Sequence, residues 1–456
     1  MYEHVGHRFP LVARWAAVAL CLIMGGALPA KAMPSFARQT GAACTLCHIG
    51  AFGPQLTDYG RQFKLNGYVW GDAQVTVPGL AAMILTSVTS TSKGQPGGAA
   101  SGFGDNNNVA LDQASLFYAG RVFAKVGAFV QGTYDGIGKL FTIDNVDVRF
   151  ADQGLLAGKS IVYGVSLNNN PTAQDLWNTT PAWGYPFAQS GLAPSPAAAA
   201  LIDGGLGQQV GGVTAYAMWN DLLYLDSGVY ATLPRGTQSA LGVDPAGENQ
   251  IKGVAPYWRA TIQKNWSQTY LAAGIFGIDA SVYPGRDKSA GTDHYRDMGV
   301  DATATMQITE RQTVVSGLSY IHEKQTLTAS KLLGLSDNTD NSLNSFRARI
   351  TYTLDDTYGL SGGLFHVSGT QDGGLFAPDP IGGSNAEKPN STGYLVEATF
   401  TPFGKDSSWN SPWANLRLGL QYIAYTKFNG SKSNYDGFSR NAGDNNTLFA
   451  SAWFAF

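Results

Sequence analysis

The chain has 456 residues, 14% of them charged and 12% aromatic, with 56 glycines, three cysteines and a formal net charge of −3. That balance excludes the clearly basic surface that nucleic-acid binding needs. Few charges, many aromatics and many glycines, with no later apolar run long enough for a spanning helix, point to the membrane architecture built from strands, the outer-membrane β-barrel.

In chain order, residues 1–32 read as a secretory signal peptide. Arg8 and Arg14 precede an apolar run from Trp15 to Leu28, and Ala30-Lys31-Ala32 supplies a small-x-small cleavage site. The run falls short of the roughly 20 residues of a membrane anchor. Cys21 leaves with the signal, so the exported chain keeps only Cys44 and Cys47. In an oxidising compartment a disulfide is the default, but one spanning two residues closes too small a loop to stabilise much. The pair has another purpose.

Cys44-Thr45-Leu46-Cys47-His48 has the spacing of c-type haem attachment. Two thiols on one turn bond the two vinyl groups of the ring, and the adjacent His48 is carried beneath it to ligate the iron. A thioredoxin-like pair would need a βαβ setting, and a zinc knuckle a second pair of ligands; neither is in the sequence. One covalent haem c is therefore expected, held by Cys44 and Cys47, with His48 as proximal ligand. Residues 33–78 form a small haem segment in which Thr57 is an N-cap and Gly67 a helix stop. Leu56, Tyr59 and Phe63 share one helical face that can cover the ring, and Arg38, Arg61 and Lys64 are the candidates for contact with its propionates. About 45 residues build little core unaided, so haem and barrel wall are expected to complete it, with the segment plugging the lumen. For the sixth position the candidates are His294, His322, His366, Met33, Met83, Met218, Met298 and Met306, none of which lies within 49–78: a barrel residue reaches in, Met33 or Met83 loops back, or the position is open.

Residues 79–456 read as about sixteen barrel strands, near 80–92, 109–121, 124–134, 141–151, 159–168, 210–219, 222–233, 254–265, 268–280, 297–308, 312–323, 345–355, 357–368, 393–402, 414–426 and 446–456. Parity supports them: in 416–422, in 346–354 and in 258–263 apolar residues take one set of alternate positions, and polar residues or glycine the other. Links at one end are mostly short, such as Asn220-Asp221, with 403–413 the longest; links at the other end are mostly long. Short periplasmic turns opposite long outer loops mark an outer-membrane barrel. The last strand carries Leu448, Ala450, Ala452, Phe454 and Phe456 on one face and ends on an aromatic. The Pro- and Ala-rich stretch 181–209 is expected to be an outer loop or a lumen constriction. Inward parity falls on Arg149, Arg259, Arg347, Arg349 and Arg417, either as a basic eyelet for anions or as holders of the haem propionates or a plug. His294, in an expected outer loop beside Asp293 and Asp297, offers imidazole and carboxylate to a passing ferrous ion, or plain loop polarity.

PSFARQTGAACTLCH at 34–48, followed by LTDYGRQFKLNGY at 56–68, resembles the fused cytochrome–porin family of outer-membrane iron oxidases. The resemblance implies one N-terminal haem c ahead of a barrel of about sixteen strands in outer-membrane lipid. It also implies Fe(II) oxidation at the cell surface by outer-sphere electron transfer, an Fe(II):cytochrome c oxidoreductase activity with a periplasmic c-type cytochrome as acceptor. Cys44 and Cys47 then attach the haem and His48 ligates it. The chain departs from the family pattern at Phe52-Gly53-Pro54, where phenylalanine and proline are adjacent in the family. Two other functions fit the same residues: an outward conduit that reduces external metals, and a diffusion porin whose haem segment is a tether.

Overall fold

The computed structural model describes residues 35–70, 79–246, 249–405, 407–408 and 414–456; the signal segment, Met33 and the junction 71–78 lie outside the described residues. Its strands are β1 (Leu80–Thr91), β2 (Asn108–Phe123), β3 (Val126–Asp135), β4 (Leu140–Leu156), β5 (Lys159–Asn168), β6 (Val210–Trp219), β7 (Leu223–Thr232), β8 (Gln250–Ile251), β9 (Ala255–Trp266), β10 (Thr269–Tyr283), β11 (Asp293–Thr309), β12 (Gln312–Thr326), β13 (Asp340–Leu354), β14 (Tyr358–Gly369), β15 (Ser391–Phe400), β16 (Asn415–Lys427) and β17 (Thr447–Ala455). All sixteen expected strands are among them; the two-residue β8 is a pad on the end of β10. Each wall strand pairs antiparallel with the next, and β7 joins β9 directly. The cylinder closes where β17 pairs with β1, from Met83↔Ala455 to Thr91↔Thr447. Closure leaves no unpaired edge.

The period of two does the sorting. On β16, Leu420 is 52% exposed on the outer face while its neighbour Gln421, turned inward, is 1% exposed. On β9, Arg259, Thr261 and Gln263 are buried and Ile262 is exposed. Apolar side chains outside and polar ones inside reverse the soluble pattern and match a wall standing in lipid. The protein is thus a membrane-spanning barrel of the outer-membrane type. Among the described residues no helix is long and apolar enough to cross a membrane.

Turn chemistry fixes which end is which. Asn220 and Asp221, and Asp355 and Asp356, all have positive φ, between 50° and 55°. Consecutive left-handed residues make the type I′ hairpins whose twist suits paired strands, and Asn and Asp tolerate them. These tight links lie at the end where β1 begins, which faces the periplasm in outer-membrane barrels. At the opposite end, the connection from β5 to β6 turns inward instead of outward. Residues 172–180 are buried, and Arg259 of β9 meets Asp301 of β11 in a bidentate pair (2.9 and 2.8 Å) while reaching Asp175 of the loop at 3.3 Å. Farther along, the Leu201 and Ile202 amides donate to Glu323 and Asp297 (2.6 and 2.7 Å). The stretch 181–209 belongs to a loop tied across the lumen.

Candidate functional site

The cysteines sit on a single helical turn, Cys44–Cys47, closed by the His48 amide donating to the Cys44 carbonyl at 2.8 Å. A second helix, Asp58–Leu65, packs against that turn. Thr57 joins the two: its amide donates to the Cys47 carbonyl (3.0 Å), its hydroxyl donates to the Leu46 carbonyl, and Oγ1 accepts from the Gly60 amide (3.2 Å). It is the expected N-cap, and Gly67, at φ +70°, ends the helix as expected. Gly60 makes the close approach possible, because a Cβ there would lie 2.3 Å from the Cys47 carbonyl oxygen. Gly60→Ala is expected to cost about 1–3 kcal/mol of local packing, read as faster proteolysis within 44–65 of the membrane-inserted protein.

The segment is held at the short-turn end by lumen-facing side chains. Arg417 donates to the Gly50 carbonyl (3.0 Å), Asn415 to the Ala51 carbonyl (2.6 Å), and the Gly50 amide to Asp356 (3.1 Å). Phe52 meets the edge of Trp453 with ring centroids 5.1 Å apart. On the other side, Tyr68 donates to Asp147 (2.7 Å), and Arg149 donates to that same carboxylate and to the Lys64 and Gln174 carbonyls. Phe36 stacks on Tyr68 and meets the edge of Phe63.

Next to the cysteine turn lies a cavity of about 1160 Å³ lined by Cys44, Cys47 and His48. Met83 and Leu85 of β1, Phe117 of β2, Phe129 of β3, and Trp183 and Phe187 of the folded-in loop form its other walls. It continues to Asp135 and Leu140, where β3 turns into β4 at the long-loop end. No disulfide joins the two cysteines. Burial, reinforced by Cys44, pushes the Cys47 thiol up to about 12, the reverse of the lowered thiol that a redox Cys-x-x-Cys motif requires. Burial pushes His48 down to about 4, the Gly53 backbone opposing and Arg417 adding to it. At neutral pH the ring is therefore neutral, the form that ligates metals. Its Nδ1 is buried without a hydrogen-bond partner among the described residues.

The other expected site residues are scattered. Leu56 lines the cavity; Tyr59 instead stacks on Trp70 at 4.4 Å, and Phe63 packs on Phe36 and Tyr68. The Arg38 side chain lies outside the described residues. Arg61 lies over the Tyr270 ring, 3.7 Å from its centroid, and donates to the Leu56 carbonyl. Lys64 reaches the cavity wall, but its ammonium is engaged by the Ala173 and Asp175 carbonyls and Asn178 Oδ1 (2.9, 2.5 and 3.0 Å). Both cations thus bind the segment to barrel and loop. The five inward arginines do not form an open eyelet: Arg149 and Arg417 grip the N-terminal segment, Arg259 grips the loop, and Arg347 pairs with Asp203 of that loop. Arg349 lies over Phe187.

The acidic loop around His294 needs correction. Asp293 opens β11, so parity turns His294 away from Asp293 and Asp297, which share the buried inner face. Asp293 accepts from the Ala329 and Ser330 amides, Asp297 from Ile202, and His294 faces Asp279 at 2.7 Å. Among the described residues no three metal-binding side chains converge. Other residues of the site left no local trace in the sequence: Phe129, Trp183, Phe187 and Trp453 are far from the cysteines in the chain and ordinary in their own strands and loop.

Burial, with Arg149 adding and Asp147 and Asp175 opposing, holds Lys64 down to about 7 from its usual 10.5. Between those values the folded chain binds fewer protons than the unfolded one, so this contribution to stability grows as pH rises and is lost as pH falls toward 7. Hydrogen exchange in 57–66 is expected to be slower at about pH 9 than at about pH 7 after correction for intrinsic rates, and Lys64→Met should flatten the difference.

No family model and no curated protein matches the chain. Among solved structures, it is similar to an anion-selective porin from Comamonas acidovorans (10% identity, 82% of this chain and 98% of that one, TM-score 0.45). It is also similar to the outer-membrane protein OmpT of Vibrio cholerae in its trimer form (10% identity, 83% and 98%, TM-score 0.43). A third likeness is to the outer-membrane channel DcaP of Acinetobacter baumannii (13% identity, 83% and 96%, TM-score 0.42).

Proposed function

We propose that this barrel is an outer-membrane electron-transfer protein that oxidises extracellular Fe(II) at a covalently bound haem c and delivers the electrons to a periplasmic c-type cytochrome. The observation that carries the reading is the cavity flanked by Cys44, Cys47 and neutral His48 inside a membrane-spanning wall. The residues fit the group: two thiols one turn apart, an adjacent imidazole, aromatic and aliphatic walls, and a volume somewhat above the roughly 300–1,000 Å³ usual for ligand pockets. When bound, a c-type haem supplies one-electron exchange at its iron. The chain does the rest. The segment 35–70 plugs the short-turn end, the wall keeps lipid out, and the cavity leads toward the long loops where substrate iron is met. Each Fe(II) gives up one electron and leaves as Fe(III), and one acceptor molecule takes that electron. No acid, base or nucleophile is needed. Ferrous iron as the donor follows from the resemblance of residues 34–68.

Adding Fe(II) to purified holoprotein while the haem α-band is watched tests this: prompt reduction is expected, and its absence at working pH removes the oxidase reading. The closed sixteen-stranded wall, taken without residues 35–70, speaks more directly for the second reading, a diffusion porin with a haem tether. Liposome swelling at porin rates by the full chain would favour it.

A further inference from the structure

Building on the haem reading, we propose that the thioether of Met83 would hold the iron as its second protein ligand, together with His48. The assignment comes first from where each histidine and methionine side chain stands. His322 and His366 are exposed on the outer face of the barrel, as are Met298 (54%) and Met306 (52%). His294 is engaged by Asp279 on the strands of the far wall. Met218 points inward but is packed against Leu65, Trp177 and Tyr224, off the cavity wall. Lys64, a further nitrogen on that wall, has its ammonium engaged by three oxygens. Among the described residues only Met83 is left on the cavity that Cys44, Cys47 and His48 line.

The register of the wall places it next to the haem-attachment loop. Asn415, which holds the Ala51 carbonyl, stands opposite Ala455, and Ala455 stands opposite Met83. Two strand spacings, about 10 Å along the wall, therefore separate the anchor of residue 51 from Met83. Phe52 rests on Trp453, whose partner on β1 is Leu85, the next inward residue after Met83. The loop that leaves His48 is docked on the same patch of wall that presents the methionine. A His/Met pair also raises the reduction potential, in the direction an acceptor of electrons from Fe(II) requires.

The test uses full-length holoprotein with Met83→Leu, Met83→His and, as the comparison, Met33→Leu. Ferric absorption, carbon monoxide binding to the ferrous form, and midpoint potential are measured, with covalent haem verified by mass. In the wild type the sulfur-to-iron charge-transfer band and slow carbon monoxide binding are expected. Met83→Leu, close in volume and tolerable to the fold, should lose the band and bind carbon monoxide at least tenfold faster; Met83→His should stay low-spin at a lower potential. An unchanged band in Met83→Leu, a wild type without the band, or its loss in Met33→Leu alone would overturn the assignment while leaving the haem in place. A wild-type chain with no covalent haem would overturn the haem reading itself.

Discussion

Replacing Cys44 and Cys47 together by serine is expected to give a barrel that still folds into the membrane but carries no covalent haem and shows no reduction by ferrous iron. The wall owes nothing to the cysteines. Its closure runs through the backbone pairing of β17 with β1, which involves neither cysteine, and its lipid-facing residues are untouched. The loss should instead fall on the N-terminal segment, because the cavity of about 1160 Å³ loses the group that would fill it and its lining loses those contacts. Haem stain, intact mass and Fe(II)-driven absorbance change measure the effect, and proteolysis of 35–70 measures the loosening. A double-serine protein that passes electrons from Fe(II) as fast as the wild type would remove the proposal. His48→Ala with the cysteines kept should separate the two roles: haem still attached, but with altered ferric absorption and potential.

The second large effect lies at Arg259. Arg259→Met leaves Asp301 and Asp175, both buried, without the guanidinium that lies 2.8 Å from one and 3.3 Å from the other. Breaking one partner of a buried ionic group costs about 3–5 kcal/mol, and here the consequence is local. The strands around Arg259 stay paired by their backbones, whereas the loop at 172–180 depends on side-chain ties such as Asp175 and Thr179 to the wall. We therefore expect the loop to swing away from the wall, with single-channel conductance in planar bilayers rising several-fold and a new protease cut within 169–209. Unchanged conductance and protease resistance in Arg259→Met would show that the loop is held elsewhere.

The barrel was readable because its information is local. Alternation along a strand says which side chains meet lipid, and the pairing of left-handed Asn and Asp residues at tight links says where the chain turns; neither needs knowledge of a distant residue. The cysteine turn was readable for the same reason, since Cys44, Cys47 and His48 are neighbours in sequence as well as in space. Reading failed where a role depends on a partner across the chain. The contacts of Lys64 with loop carbonyls and of Arg61 with Tyr270 are of this kind, since neither partner is near them in sequence. Asp293, His294 and Asp297 are close in sequence, but the strand turns His294 to the other face and loop amides occupy the two carboxylates.

The amino-acid pattern was thus enough to decide the number of strands, their inward and outward faces, and the position of the turn that holds Cys44, Cys47 and His48, all consequences of backbone periodicity and side-chain chemistry over a few residues. Only the folded chain decided that the loop from β5 to β6 turns inward and that Arg149, Arg259 and Arg417 grip chain segments rather than solvent anions. It also decided that Met83 shares a cavity with His48. Those outcomes depend on cylinder closure, which brings together residues hundreds of positions apart, and no local pattern encodes which of many inward-facing side chains will then be neighbours.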